Sequence, residues 1–182
     1  MPSMPTTKTG KTGIIGAGLV LASAAALGLI SKWETPAGQT DRYRVYADKL
    51  ADGLLTSECN GITPHITSTP MRLGDVWDAA TCKAETRRAV AKVQTALLKC
   101  FQRVPPQSVF DAATSHAWNF GADKTCHSQA MAAWNQGNWT LGCRRLLVGD
   151  NGKLQWVYAG GKFYQGLANR RADEMVTCEG LR

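Results

Sequence analysis

The chain has 182 residues, a formal charge of +7, 44% hydrophobic and 19% charged residues. This is enough for one domain with its own core, and the ordinary composition excludes a disordered or fibrous polymer. The basic balance suits an anionic partner such as a membrane surface or cell-wall polymer. Nucleic acid is not expected, because no nucleic-acid-binding motif is present and the basic residues are scattered apart from Arg87-Arg88, Arg144-Arg145 and Arg170-Arg171.

Residues 1–11 are short, polar and basic. Thr12 to Ser31 is a run of twenty residues without a charge. At about 1.5 Å per helical residue such a run just crosses a hydrocarbon core of about 30 Å. Five alanines and four glycines dilute its Leu, Ile and Val. Lys8 and Lys11 ahead of it place the N-terminus in the cytoplasm and the rest outside, by the positive-inside rule. Three readings compete: a signal peptide cleaved at the small-x-small motif Ala22-Ser23-Ala24, a permanent anchor, and an uncleaved segment that inserts and later leaves the bilayer. The Gly/Ala dilution favours the first and third. We therefore expect an export segment at 1–31 and a soluble domain at 32–182.

Residues 33–76 hold Pro-, Gly- and Thr-rich pieces between short β-prone stretches, Tyr43 to Tyr46 and Ile62 to Thr67. They read as a short helix or extended lead-in near Glu34 and then a small irregular sheet. Helices follow. Thr81 can cap one running to about Phe101, with Ala89, Val90, Val93, Ala96, Leu97 and Phe101 on one face. After Pro105-Pro106, Gln107 to Phe120 forms a central core helix that stops at Gly121. Ser128 caps a short helix to Asn135. Trp139 to Leu147 is another, and Gly166 to Cys178 is the last. A small β part followed by a run of helices predicts an α+β fold with segregated elements.

Six cysteines stand at 59, 82, 100, 126, 143 and 178, all after the apolar run. No pair has CxxC spacing, and the three histidines are at unrelated spacings, so disulfides in an oxidising compartment are expected rather than zinc. Their connectivity is open on this evidence.

Glu34, Asp48 in a Tyr-x-Asp context, and Thr56 suit glycosidic bond hydrolysis. That chemistry needs an acid for the leaving oxygen and an anion or activated water on the opposite side of the ring, and a hydroxyl can orient the water. Against this, most of the fourteen acidic residues belong to solvated faces. Trp118, Trp134, Trp139 and Trp156 read as core rather than sugar platforms, and His116 as a satisfied core histidine. Asn119 reads as a backbone partner, Gly160-Gly161 as a tight turn, and Arg170-Arg171 with Glu174 as local ion pairs.

Trp156-Val-Tyr-Ala-Gly-Gly-Lys162 and Gly166-Leu167-x-x-Arg170-Arg171-x-x-Glu174 resemble the C-terminal signature of the phage-type lysozymes, glycoside hydrolase family 24. Trp118-Asn119-Phe120-Gly121 is similar to that family's Phe-Asn-x-Gly segment, and Trp33 to Thr63 resembles its catalytic segment. The weakly apolar residues 12–31 look like the N-terminus of its signal-arrest-release endolysins. The resemblance implies a lysozyme-like fold, with a helical C-terminal lobe around a central core helix. It implies a monomeric muramidase acting on peptidoglycan without a cofactor. The enzyme would be held at the host inner membrane through residues 12–31 and then freed into the periplasm. It makes Glu34 the catalytic acid, with Asp48 and Thr56 positioning the attacking water. It also suggests the pairing Cys59–Cys82, Cys100–Cys126 and Cys143–Cys178. This chain has thirteen residues between Glu34 and Asp48 and seven between Asp48 and Thr56, more than the family carries. Asp52 and Ser57 are therefore rivals for Asp48 and Thr56, and Asp41 and Glu58 rank below them. Two other readings remain: a wall-binding module with a dead site, and a lysozyme secreted with a cleaved signal peptide.

Overall fold

The computed structural model describes residues 18–34, 42–49 and 52–181. Lys8, Lys11, residues 12–17 of the apolar run and Asp41 lie outside them. The first element, α1 (Ala24–Glu34), starts because the Ser23 hydroxyl accepts a hydrogen bond from Ala26 N–H at 3.0 Å, a helix N-cap. Ala26, Leu29 and Ile30 form its buried stripe, and Lys32 in its last turn complements the helix dipole. The helix therefore runs straight through residue 31. Among the described residues no helix is long and apolar enough to cross a membrane.

Strand β1 (Arg42–Asp48) is the centre of a three-stranded antiparallel sheet, between β2 (Leu54–Ser57) and β3 (Val76–Asp78). The β-prone stretch from Ile62 to Thr67 is not a strand. Ile62 O is taken by Ser57 N–H at 2.8 Å, and Thr63 O accepts from Ile66 and Thr67, so the backbone groups a ladder would need are spent in turns.

Helix α2 (Ala79–Leu98) follows β3 directly. Its cap is Asp78, which accepts from Thr81 N–H at 2.7 Å; Thr81 is the donor of that contact, not the expected cap. Helix α3 (Gln107–Phe120) is buried at every residue from Val109 to Ala117. A helix apolar or satisfied on all sides belongs at the centre of a domain, and α3 packs against α1, α2, α4 (Ala122–Cys126) and α7 (Gln165–Cys178). Gly121 ends it at φ +90, a left-handed value that suits glycine. Two short helices, α5 (Gln129–Asn135) and α6 (Trp139–Arg144), pack on each other and contribute Met131, Trp134 and Cys143 to the core that α3 enters. Ser128 caps α5 by accepting from Met131 N–H. Helix α6 ends at Arg144, short of Leu147, and a hairpin of β4 (Tyr158–Ala159) and β5 (Lys162–Phe163) turns at Gly160-Gly161 ahead of α7.

The main core gathers Leu97, Val109, Phe110, Ala113, Met131, Trp134 and Leu146. A second cluster, Val45, Cys59, Ile62, Trp77 and Cys82, lies under the sheet. A third joins Ala22 and Ile30 to Val90 on α2. Three disulfides brace the fold: Cys59–Cys82 and Cys100–Cys126 tie loops to α2 and α4, and Cys143–Cys178 joins α6 to α7. In the chain-entropy picture loops of this size stabilise by about 3–4 kcal/mol each.

His116 is fully buried in α3, with Nδ1 2.9 Å from Thr125 Oγ1 and its ring edge-on to Trp156. Burial, then the Arg171 and Arg170 charges, hold its pKa well below the ordinary 6.5. The folded state keeps the ring neutral while the unfolded chain takes up a proton, so this stability is complete above pH 6.5 and is lost as pH falls. Thermal unfolding from pH 7.5 to 5.5 should show a loss of about 1 kcal/mol from this group. That component should be missing in His116→Gln.

Candidate active site

Glu34 is the last residue of α1, and its side chain is 23% exposed. Two ion pairs clamp this helix end to α7. Lys32 Nζ meets Asp173 Oδ2, and Arg170 Nη1 donates to Glu34 Oε1 at 2.5 Å. Asp173 and Arg170 are one turn apart on α7, as i, i+3 spacing requires.

Arg170 is itself held from behind. Its Nη2 donates to Ser115 O at 3.2 Å and its Nε lies 3.3 Å from Glu174 Oε1. The same Glu174 oxygen accepts from the Ser115 hydroxyl and from Arg171 Nη2, each at 2.7 Å. The Arg171 guanidinium also sits 4.8 Å over the Phe120 ring. Burial pushes Glu174 up and Arg171 down to about 10, against the mutual attraction of the pair. At neutral pH Arg171 stays protonated. Glu34, Glu174, Arg170 and Arg171 thus form one connected cluster of two carboxyl and two guanidinium groups, and such mutual pairing offsets the cost of burial.

The opposite wall is the sheet. Tyr46 pairs with Thr56 and Asp48 with Leu54, so Tyr46, Asp48 and Thr56 share one face, while Val45 and Ser57 share the other. Burial and then the charges of Asp48, Glu58 and Glu34 raise the pKa of the Tyr46 phenol. Beside it, the turn through Asn60 and Gly61 closes on Glu34. Gly61 has φ +69, and a Cβ there would lie 3.6 Å from Glu34 Oε2. Asn60 O accepts from Trp118 Nε1 at 3.1 Å, its Nδ2 donates to Thr86, and Cys59–Cys82 ties the turn to α2.

Each sequence candidate among the described residues has a definite place, and Asp41 lies outside them. Asp48 and Thr56 share a sheet face with Tyr46, and Glu34 lies between Arg170 and the Gly61 turn. Ser57 faces the buried side, where its hydroxyl accepts from Cys59 N–H at 3.1 Å. Asp52 is exposed in the hairpin turn, at φ +51. Glu58 accepts from Arg44 N–H at 2.9 Å. The contact from Arg170 to Glu34 was not expected from sequence. Its only signal was the Arg170-Arg171-x-x-Glu174 grouping, which reads equally well as a local pair.

The arrangement offers one carboxyl group against a guanidinium on the helical side, and a second carboxylate with a hydroxyl on the sheet side. The family model for phage lysozyme matches residues 38–174. The SAR-endolysin of Bacteriophage PS119 is 29% identical over 86% of this chain and 88% of its own length. That of Enterobacteria phage P21 is 30% identical over 62% of this chain, and the match spans 64% of the relative. A P22 lysozyme mutant shares the fold at a TM-score of 0.70 and 19% identity, covering 88% of this chain and 99% of its own.

Removing Arg170 should leave Glu34 and Glu174 short of a counter-charge. Arg170→Met is expected to lose about 3 kcal/mol in denaturant unfolding, well beyond a surface arginine control such as Arg87→Met.

Proposed function

Because the chain belongs to the phage lysozyme family, we propose that it is a phage endolysin that cleaves the β-1,4 bond between N-acetylmuramic acid and N-acetylglucosamine in peptidoglycan. What supports this is that Glu34 lies against the Asn60–Gly61 turn that follows β2, beside a sheet that carries Asp48 and Thr56 on one face. Glu34 gives its proton to the leaving glycosidic oxygen. Arg170 then faces the carboxylate that remains, which favours the charge developing in the transition state. Asp48 accepts a proton from a water that Thr56 orients, and that water attacks the opposite face of the sugar, inverting the anomeric centre. No cofactor enters the reaction, and the enzyme acts as a monomer.

Delivery uses residues 12–31 as a releasable, uncleaved segment. It holds the enzyme at the inner membrane with the N-terminus in the cytoplasm, and frees it into the periplasm when the membrane potential collapses. The PS119 and P21 relatives, both SAR-endolysins, support this. So does the docking of residues 18–31. Cleavage after Ala24 would remove Ala22 and Ser23, whose hydrogen bonds hold the start of α1 to α2 and α3.

Clearing of chloroform-treated Gram-negative cells should fall by at least about a hundredfold in Glu34→Gln and in Asp48→Asn, while Ser57→Ala stays near wild type. Equal clearing by Glu34→Gln would remove Glu34 from the mechanism, and no clearing by any form would favour a wall-binding module. Intact mass of active, released protein should include residues 1–31; loss of that segment would indicate a cleaved signal peptide.

A further inference from the structure

The chain just before α1 is held by side chains of two other helices, through the main chain of Val20 and Ala22 and the hydroxyl of Ser23. Gln107 on α3 reads Val20 twice: Oε1 accepts from Val20 N–H at 2.8 Å and Nε2 donates to Val20 O at 3.1 Å. Gln94 on α2, fully buried, accepts from Ala22 N–H at 2.8 Å and donates to Thr114 Oγ1 at 3.1 Å. Asp111 on α3, only 3% exposed, accepts from the Ser23 hydroxyl at 2.8 Å and from Gln107 Nε2 at 2.7 Å. A buried glutamine and a nearly buried aspartate are costly in a core unless every polar group finds a partner. Here the arriving segment supplies part of that set.

Apolar packing alone does not fix where this segment sits. The large buried side chains, Leu29 and Ile30, lie toward the C-terminal end of α1, whereas the start of the segment offers the core only Ala22 and Ala26, which are small enough to fit several registers. A slip of one residue moves a helix by about 1.5 Å and turns it by about 100°. That turn would carry Glu34 away from Arg170. Directional hydrogen bonds discriminate between registers where dispersion contacts do not.

We propose that Gln94, Gln107 and Asp111 form a docking receptor for Val20, Ala22 and Ser23 that sets the register of α1, which makes them positioning residues for Glu34. Their action is remote: Ser23 and Glu34 are about 16 Å apart along the helix. The proposal rests on Glu34 being the acid of the proposed reaction.

The test uses the full chain with Ser23→Ala, Ser23→Thr, Asp111→Leu and Glu34→Gln, assayed on a soluble peptidoglycan fragment. Ser23→Ala and Asp111→Leu should each lower kcat about 10- to 100-fold with KM within about twofold. Ser23→Thr keeps the hydroxyl and should retain wild-type kcat. In the two impaired variants a protease should trim residues 18–34 faster than in wild type, while the disulfide-bonded body keeps its Tm. Should Asp111→Leu fail to fold, Ser23→Ala, which leaves α2 and α3 intact, decides. Wild-type kcat and wild-type protection in Ser23→Ala overturn the receptor. An active Glu34→Gln instead overturns the assignment of the acid, and the protease readout still reports on docking.

Discussion

The guanidinium of Arg170 joins the two ends of this chain. It touches Glu34, the last residue of the first helix, and Glu174 on its own helix. Both contacts are needed for either to make sense. Without Glu174 and Ser115 the arginine would have no fixed direction from which to meet Glu34. Without Arg170 the carboxylates would lie close together in a partly dry site with too little positive charge between them. The rest of the fold follows from holding this contact. Helix α3 supplies Ser115, α7 supplies the arginine, and α1 has to be laid across both.

The two walls are built by different physics. On the helical side, position comes from buried, charge-assisted hydrogen bonds whose partners are far apart in sequence. On the sheet side it comes from strand pairing, where alternation sends Asp48 and Thr56 to one face and Ser57 to the other. Cys59–Cys82 and the Trp118 to Asn60 hydrogen bond couple the walls, since both hold the turn that closes on Glu34. The proposed reaction needs unlike surroundings for its two carboxyl groups: Glu34 faces a guanidinium, and Asp48 ends β1 on the face that carries Tyr46.

The long helices were legible in the sequence because their apolar spacing and their stops are local features. Gly121 ends α3 and Ser128 starts α5 for reasons that need no tertiary contact. Thr81 was misread because its neighbour Asp78 makes the better cap, and the Ile62–Thr67 stretch because its carbonyls are drawn into turns. Ser23 shows where local reading stops. In Ala22-Ser23-Ala24 it has the form of a cleavage motif; in the fold it is a helix cap that also donates to Asp111, 88 residues away in sequence. The choice between Thr56 and Ser57 is likewise closed to spacing, since only the register of β1 with β2 assigns their faces. Asp41 and the link from α1 to β1, residues 35–41, lie outside the described residues, so the extra length there has no structural explanation.

The site at Glu34 requires that the end of the apolar run be a working part of the folded protein and not a leader trailing from it. Hydrogen–deuterium exchange of the active, full-length protein measures this directly. Amides of residues 26–34 should exchange as slowly as those of α3, because α1 is stitched to α2, α3 and α7. Rapid exchange across residues 26–34, with α3 still protected, would contradict the account.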